Sequence, residues 1–116
     1  MNNTVFFSLL SIGWLGDINH DGYDDILLGS GYAHDFAGEV FVLYGKSNFS
    51  SVFYLSSLSK SDGFIIYGAG KQNSLYDGDQ TGLAVTGNFD FNNDGIDDML
   101  IGAPYANAYF WNKWIF

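Results

Sequence analysis

The chain carries one nine-residue pattern twice, as DINHDGYDD at residues 17–25 and as DFNNDGIDD at residues 90–98. Oxygen-bearing side chains stand at positions 1, 3, 5 and 9 of both copies, and glycine stands at position 6. Calcium takes about six to eight oxygen ligands, which a curling loop presents at alternate positions. Glycine permits the sharp turn that such a loop requires. Both copies therefore predict calcium loops.

The ninth position must close each loop, because the chain lacks the closing residue of an EF-hand. An EF-hand uses a bidentate glutamate at position 12, whereas this position is Leu28 in one copy and Ile101 in the other. We therefore predict two Ca²⁺ sites, each with four side chains and the backbone carbonyl of position 7. The first set is Asp17, Asn19, Asp21, the Tyr23 carbonyl and Asp25, and the second is Asp90, Asn92, Asp94, the Ile96 carbonyl and Asp98.

Asp, Asn and Gly are also the usual residues of solvated hairpin turns, so a single copy could be a turn without metal. Two copies in equal register favour calcium, because uncompensated carboxylates at this spacing repel one another. Asp24 and Asp97, at position 8, are expected to point away from the ion into solvent. His20 and His34 are expected to be surface residues, since imidazole suits the hard oxygen ligands of the loop around His20 poorly and His34 has no partner set at a metal-ligand spacing.

A shift of 73 residues superposes more than the two loops, because residues 24–33 fall on residues 97–106. Periods of a few tens of residues are typical of solenoids and propellers. Apolar runs and glycine-rich boundaries predict where the strands lie. The first unit should have strands at 5–13, 25–29, 38–44 and 63–68, and the second at 81–87, 98–102 and 114–116.

The predicted fold class is all-β, with antiparallel four-stranded blades of a β-propeller. Both alternate side-chain sets in residues 40–44 are apolar, so each face of that sheet should be covered by a neighbouring blade. We divide the chain into a first blade, residues 1–68, and a linker with a partial second blade, residues 69–116. Since a propeller needs roughly four to eight blades, we expect a piece of a larger protein or a chain that associates with itself.

Two longer segments, GDINHDGYDDILLG at residues 16–29 and NFDFNNDGIDDMLIGAP at residues 88–104, resemble FG-GAP repeats. These repeats build the β-propeller of integrin α-chains and of bacterial relatives, and the resemblance covers nearly the whole chain. It implies four-stranded blades of a seven-bladed propeller, in which the Asp-rich loop joins the first two strands and binds calcium. Residues 102–104 match the Gly-Ala-Pro of the family name, while residues 29–31, 6–8 and 81–83 depart from the family pattern.

Composition excludes several classes of function. The chain has thirteen acidic residues and only four basic ones, which gives a net charge of −9. No basic face is available to neutralise phosphates, so no nucleic acid is expected as a partner. The chain has no cysteine, and neither a nucleophile motif nor a phosphate-binding glycine loop is present. We therefore predict that it is not an enzyme.

Several features favour an extracellular or cell-surface location. Loops without the twelfth-position glutamate should bind calcium weakly, with a Kd of about 10⁻⁴ to 10⁻³ M as in extracellular modules. Residues 2–4 and 48–50 form glycosylation sequons. The apolar residues 5–15 lack a basic leader and run into the first loop, which predicts a strand, not a signal peptide or a membrane span.

The resemblance implies an adhesion or ligand-binding scaffold with structural calcium. A protein or glycan ligand would then bind elsewhere on the propeller, on the face opposite the ions. Two alternatives remain open: an accessory propeller of a secreted hydrolase, either phospholipase-like or polysaccharide-degrading, and a sugar-binding lectin propeller. For the lectin, Tyr32, Tyr76 and Tyr105 could stack on sugars, although aromatic side chains more often pack in cores and loops.

Overall fold

The computed structural model describes residues 11–69, 78–106 and 113–115 of the chain. Within these residues the chain forms two antiparallel sheets, with strand orders β1-β2-β3-β4 and β5-β6-β7. Helical structure is limited to two short turns, at Ala33–Phe36 and Leu55–Ser57. The strands are β1 Ser11–Gly16, β2 Asp25–Ser30, β3 Glu39–Leu43, β4 Gly63–Tyr67, β5 Val85–Phe89, β6 Asp98–Ala103 and β7 Lys113–Ile115.

The all-β prediction is confirmed, and each Asp-rich loop is the connection of a hairpin. Residues 17–24 join β1 to β2, and residues 90–97 join β5 to β6. Five predicted strands agree with the structure to within one residue at the ends that it describes. No helix in the described part of the chain is long and apolar enough to cross a membrane.

The predicted bounds of the first strand in each unit were wrong. The strand predicted at 5–13 runs on to Gly16, and residues 5–10 lie outside the described part; the strand predicted at 81–87 is Val85–Phe89. A β-bulge carries each strand further toward its loop, with register shifts at Trp14/Gly16 and Thr86/Phe89. Thr81 lies outside the strand because its N–H donates to the Ala37 carbonyl (3.0 Å) of the preceding unit.

The hydrophobic core lies between the two sheets. Leu27 and Val42 are paired neighbours in the first sheet, and they are fully buried together with Ile101 of the second sheet. Val85 and Met99 of the second sheet pack against the same cluster. One face of the first sheet therefore packs against one face of the second, with Leu15 and Val40 completing the buried set.

The two sheets do not use corresponding faces of the repeat to pack against each other. With the 73-residue shift, Ile101 and Val85 of the second sheet correspond to Leu28 and Ile12 of the first. Leu28 pairs with Ile12 and follows Leu27 directly, so these two residues lie on the opposite face of the first sheet. We call this the outer face. It includes Ile12, Trp14, Phe41, Leu43 and Tyr67, of which Ile12 is 70% and Trp14 68% exposed.

The isolated 116-residue chain is expected to self-associate through this outer face, because large exposed apolar patches and open strand edges drive association. The double change Ile12→Lys with Trp14→Lys should lower the mean mass measured by light scattering. Val52→Lys is the control, since Val52 is also exposed but lies outside the strands, in the connection between β3 and β4. A compact monomer of the unmodified chain would contradict this prediction.

Candidate metal centres

The carboxylate at position 1 of each loop holds the turn together. Asp17 accepts hydrogen bonds from the N–H groups of Asp21 (3.0 Å) and Gly22 (2.7 Å). Asp90 does the same with Asp94 (3.0 Å) and Gly95 (2.8 Å). Because these donors stand at positions 5 and 6, each bond curls the chain back over its own starting residue.

The carboxylates at positions 5 and 9 also make the same hydrogen bonds in both loops. Position 5 accepts from the N–H of position 7, at 3.0 Å in the first loop and 2.9 Å in the second. Position 9 accepts from the N–H of position 2, at 2.8 Å in the first and 2.7 Å in the second. The acceptors are Asp21 and Asp94 for the first of these bonds, and Asp25 and Asp98 for the second.

The backbone of both loops is left-handed at positions 4 and 6. Gly22 and Gly95 have φ values of 90° and 85°, a conformation that glycine adopts without the strain of a Cβ. His20 and Asn93 at position 4 have φ values of 57° and 59°. The sequence predicted a sharp turn only at the glycine of position 6. The left-handed backbone also includes position 4, where the residue is not glycine.

The bonds bring three carboxylates together in each loop. Oxygen atoms of Asp17, Asp21 and Asp25 all lie within 4.8 Å of one another, and so do those of Asp90, Asp94 and Asp98. Like charges this close repel unless they are compensated. The donor set consists of hard oxygens, which suits calcium better than a soft transition metal. The residues present therefore fit a calcium ion.

Hydrogen bonds lower the pKa of one carboxylate in each loop. Partial desolvation raises the pKa of Asp17, but the backbone hydrogen bonds from Gly22 and Asp21 outweigh it, so this pKa lies below its ordinary value. The hydrogen bond from the Ile96 N–H lowers the pKa of Asp94. Charge on these acids at neutral pH is what a divalent cation requires.

The other predicted ligands lie in the same loops. The Asn19 side-chain amide donates to Asp21 at 3.2 Å, and the Asn92 side chain helps to lower the pKa of Asp94. The N–H groups of Tyr23 and Ile96 are held by the position-5 carboxylates. Coordination by these four residues stays a prediction, as it does for the six carboxylates.

The expectation for position 8 holds for one copy and is wrong for the other. Asp24 is exposed. Asp97 is half-buried and lies against Gly16 of the first unit, where an added Cβ would overlap its carboxylate. This carboxylate therefore faces the junction between the two units. His20 and His34 are exposed as expected, although His34 also pairs with Glu39 at 2.6 Å.

One residue of the first site was missed by sequence reasoning. The N–H of Gly45 donates to Asp25 Oδ1 at 2.8 Å, while Asp25 Oδ2 accepts from Ile18. Asp25 is completely buried. Gly45 lies outside the nine-residue pattern, and the only signal that could have indicated it is a glycine shortly after the third strand.

Comparison with known proteins agrees with this geometry. The sequence matches the FG-GAP repeat family over residues 12–43 and 81–111, more than half of the chain. The chain therefore belongs to the FG-GAP repeat family, and its sheets are β-propeller blades. Each matched range contains one of the two Asp-rich loops.

Three related proteins align with most of the chain. Integrin alpha-PS3 of Drosophila melanogaster is 32% identical over 96 residues, covering 83% of this chain and 8% of the relative. Integrin alpha-PS5 of the same organism is 28% identical over 100 residues, covering 86% and 9%. Phosphatidylinositol-glycan-specific phospholipase D of Bos taurus is 31% identical over 109 residues, covering 88% and 12%. The chain thus spans about a tenth of the length of these relatives.

Proposed function

We propose that this chain supplies two calcium-stabilised blades to the propeller of a secreted or cell-surface protein of the adhesion type. The observation that carries the proposal is the agreement between the two loops: three converging carboxylates in each, held by the same backbone donors. A merely solvated turn would not require three acids at the same positions twice.

The loop residues have defined roles in this proposal. Position 1 curls the loop, and the carboxylates of positions 1, 5 and 9 surround one ion together with the position-3 amide and the position-7 carbonyl. Calcium would neutralise the carboxylates and fix the hairpin between the first two strands of the blade. Two ions would change the net charge from −9 to −5, and eight of the 13 acidic residues lie in the two loops.

The role proposed for the chain is non-catalytic, with residues 1–68 and 69–116 as its two units. The integrin relatives support a scaffold that binds a protein or glycan ligand through the rest of a propeller. The phospholipase D relative favours a second candidate, an accessory propeller beside a hydrolase domain. A membrane-spanning segment in the parent protein would support the first candidate, and a catalytic domain next to the repeats would support the second.

Calorimetric titration with calcium tests the proposal. The unmodified chain should bind two ions with a Kd of about 10⁻⁴ to 10⁻³ M. Asp21→Ala should abolish or strongly weaken binding at the first loop alone, and Asp94→Ala should do the same at the second, because each removes one carboxylate of three. The two variants are matched controls for each other. Absence of calcium binding at millimolar concentration would contradict the proposed function.

A further inference from the structure

Gly45 contacts the first metal loop from a distance of 20 residues along the chain. Its N–H donates to Asp25 Oδ1 at 2.8 Å. An added Cβ on Gly45 would overlap the Asp24 carbonyl oxygen and lie 3.0 Å from the Tyr23 Cβ. The backbone after β3 is therefore packed directly on positions 7 to 9 of the loop, which only a residue without a side chain permits.

The reason for glycine here is close approach and not backbone conformation. Gly45 is not among the residues with positive φ, so an alanine would not be strained by a left-handed backbone. Its side chain would instead collide with backbone atoms, which cannot rotate away as a flexible side chain would. An alanine at this position must push the end of β3 away from Asp25.

The ninth-position carboxylate of the second loop is less deeply buried. Asp98 accepts the 2.7 Å bond from the Phe91 N–H, but it is half-buried whereas Asp25 is fully buried. The two loops therefore share the same hydrogen bonds within the nine-residue pattern and differ in how deeply the ninth-position carboxylate is buried.

Gly45 is the second residue of the connection between β3 and β4, residues 44–62. The Lys46 ammonium lies 4.8 Å from the ring centre of Phe49 and 5.5 Å from that of Phe53. Lys46 lies 3.7 Å from Asp62, whose carbonyl accepts from the Tyr44 N–H (2.8 Å). The two ends of the connection therefore contact each other next to Gly45. A shift of Gly45 would move the first residues of the connection.

We propose that Gly45 is a positioning residue of the first calcium site and that it couples the occupancy of this site to the connection between β3 and β4. Calcium fixes Asp25 among Asp17 and Asp21, and the fixed carboxylate holds the Gly45 N–H. The inference rests on the proposed calcium function, and it makes the first site depend on a residue outside the nine-residue loop.

Amide hydrogen exchange of the 116-residue chain tests the coupling. Calcium at ten times its Kd should slow exchange of the Gly45 amide by about tenfold, since the ion must leave before that region opens. Asp21→Ala should abolish this slowing. Asp94→Ala, the matched change in the second loop, should preserve it.

Gly45→Ala gives a second, independent measurement. Calcium affinity at the first loop should fall by about 10–100-fold, the range found when a residue that orients a metal ligand is changed, while the second loop keeps its affinity. Ser47→Ala is the control, because Ser47 is exposed and lies two residues further on. Retained affinity at the second loop shows that the variant is folded.

The outcomes separate this inference from the function on which it rests. If neither loop of the unmodified chain binds calcium, both are overturned. If both loops bind calcium but the exchange of the Gly45 amide is unchanged, only the coupling is overturned. If Gly45→Ala leaves the affinity of the first loop unchanged, Gly45 does not position Asp25.

Discussion

Ile101→Ala is expected to lower the free energy of unfolding by about 2–5 kcal/mol, the usual cost of a large cavity in a packed core. Ile101 is fully buried in the cluster that joins the two sheets, so its removal would leave a space that Leu27 and Val42 cannot fill from the opposite sheet. Chemical denaturation at a fixed protein concentration measures the loss.

An alanine substitution at an exposed site provides the control. Val52 is 59% exposed and lies outside the strands, so Val52→Ala should change the free energy of unfolding by less than about 0.5 kcal/mol. Equal effects of the two substitutions would mean that the packing between the sheets does not stabilise the chain in solution. The contrast between them therefore measures the contact between the blades.

Removal of calcium is expected to lower Tm by roughly 10–20 °C relative to calcium at ten times its Kd. At that concentration each site adds about 1.4 kcal/mol by mass action. For a domain of this size, 1 kcal/mol moves Tm by about 4–8 °C. The carboxylates that the ion would hold together repel one another without it. Thermal denaturation in excess chelator and in excess calcium measures the difference.

The double variant Asp21→Ala with Asp94→Ala is the control for the effect of calcium, because each substitution removes a carboxylate from one site. Its Tm should respond little to calcium. A Tm of the unmodified chain that is the same in chelator and in calcium would identify the loops as ordinary turns. A full response in the double variant would place the stabilising ion elsewhere.

The fold and the loops were predictable from the sequence because their determinants are local. The bonds from Asp17 to the N–H groups of Asp21 and Gly22 join residues within one turn, so spacing alone indicates them. The hairpin around each loop follows from the apolar runs on both sides. The repeat then supports each assignment by a second copy.

The features that were missed depend on contacts between distant segments. The strand bounds differ because a bulge places Leu15 in the core between the sheets. Asp97 lies against Gly16, and Gly45 against Asp25, in both cases across a long stretch of chain. Spacing within a motif carries no information about such partners, because tertiary packing decides them.

The contact between the two sheets has a head-to-tail character. The face that carries Ile101 and Val85 meets the face that carries Leu27 and Val42, while Ile12, the counterpart of Val85, remains exposed. In subunit assemblies a contact of this kind closes into a ring when its rotation divides a full turn, and otherwise extends into a helix. The number of blades in a ring is then set by the rotation at one junction. Gene duplication could add blades that use the same interface. The ring would close only at the number of blades that matches this rotation.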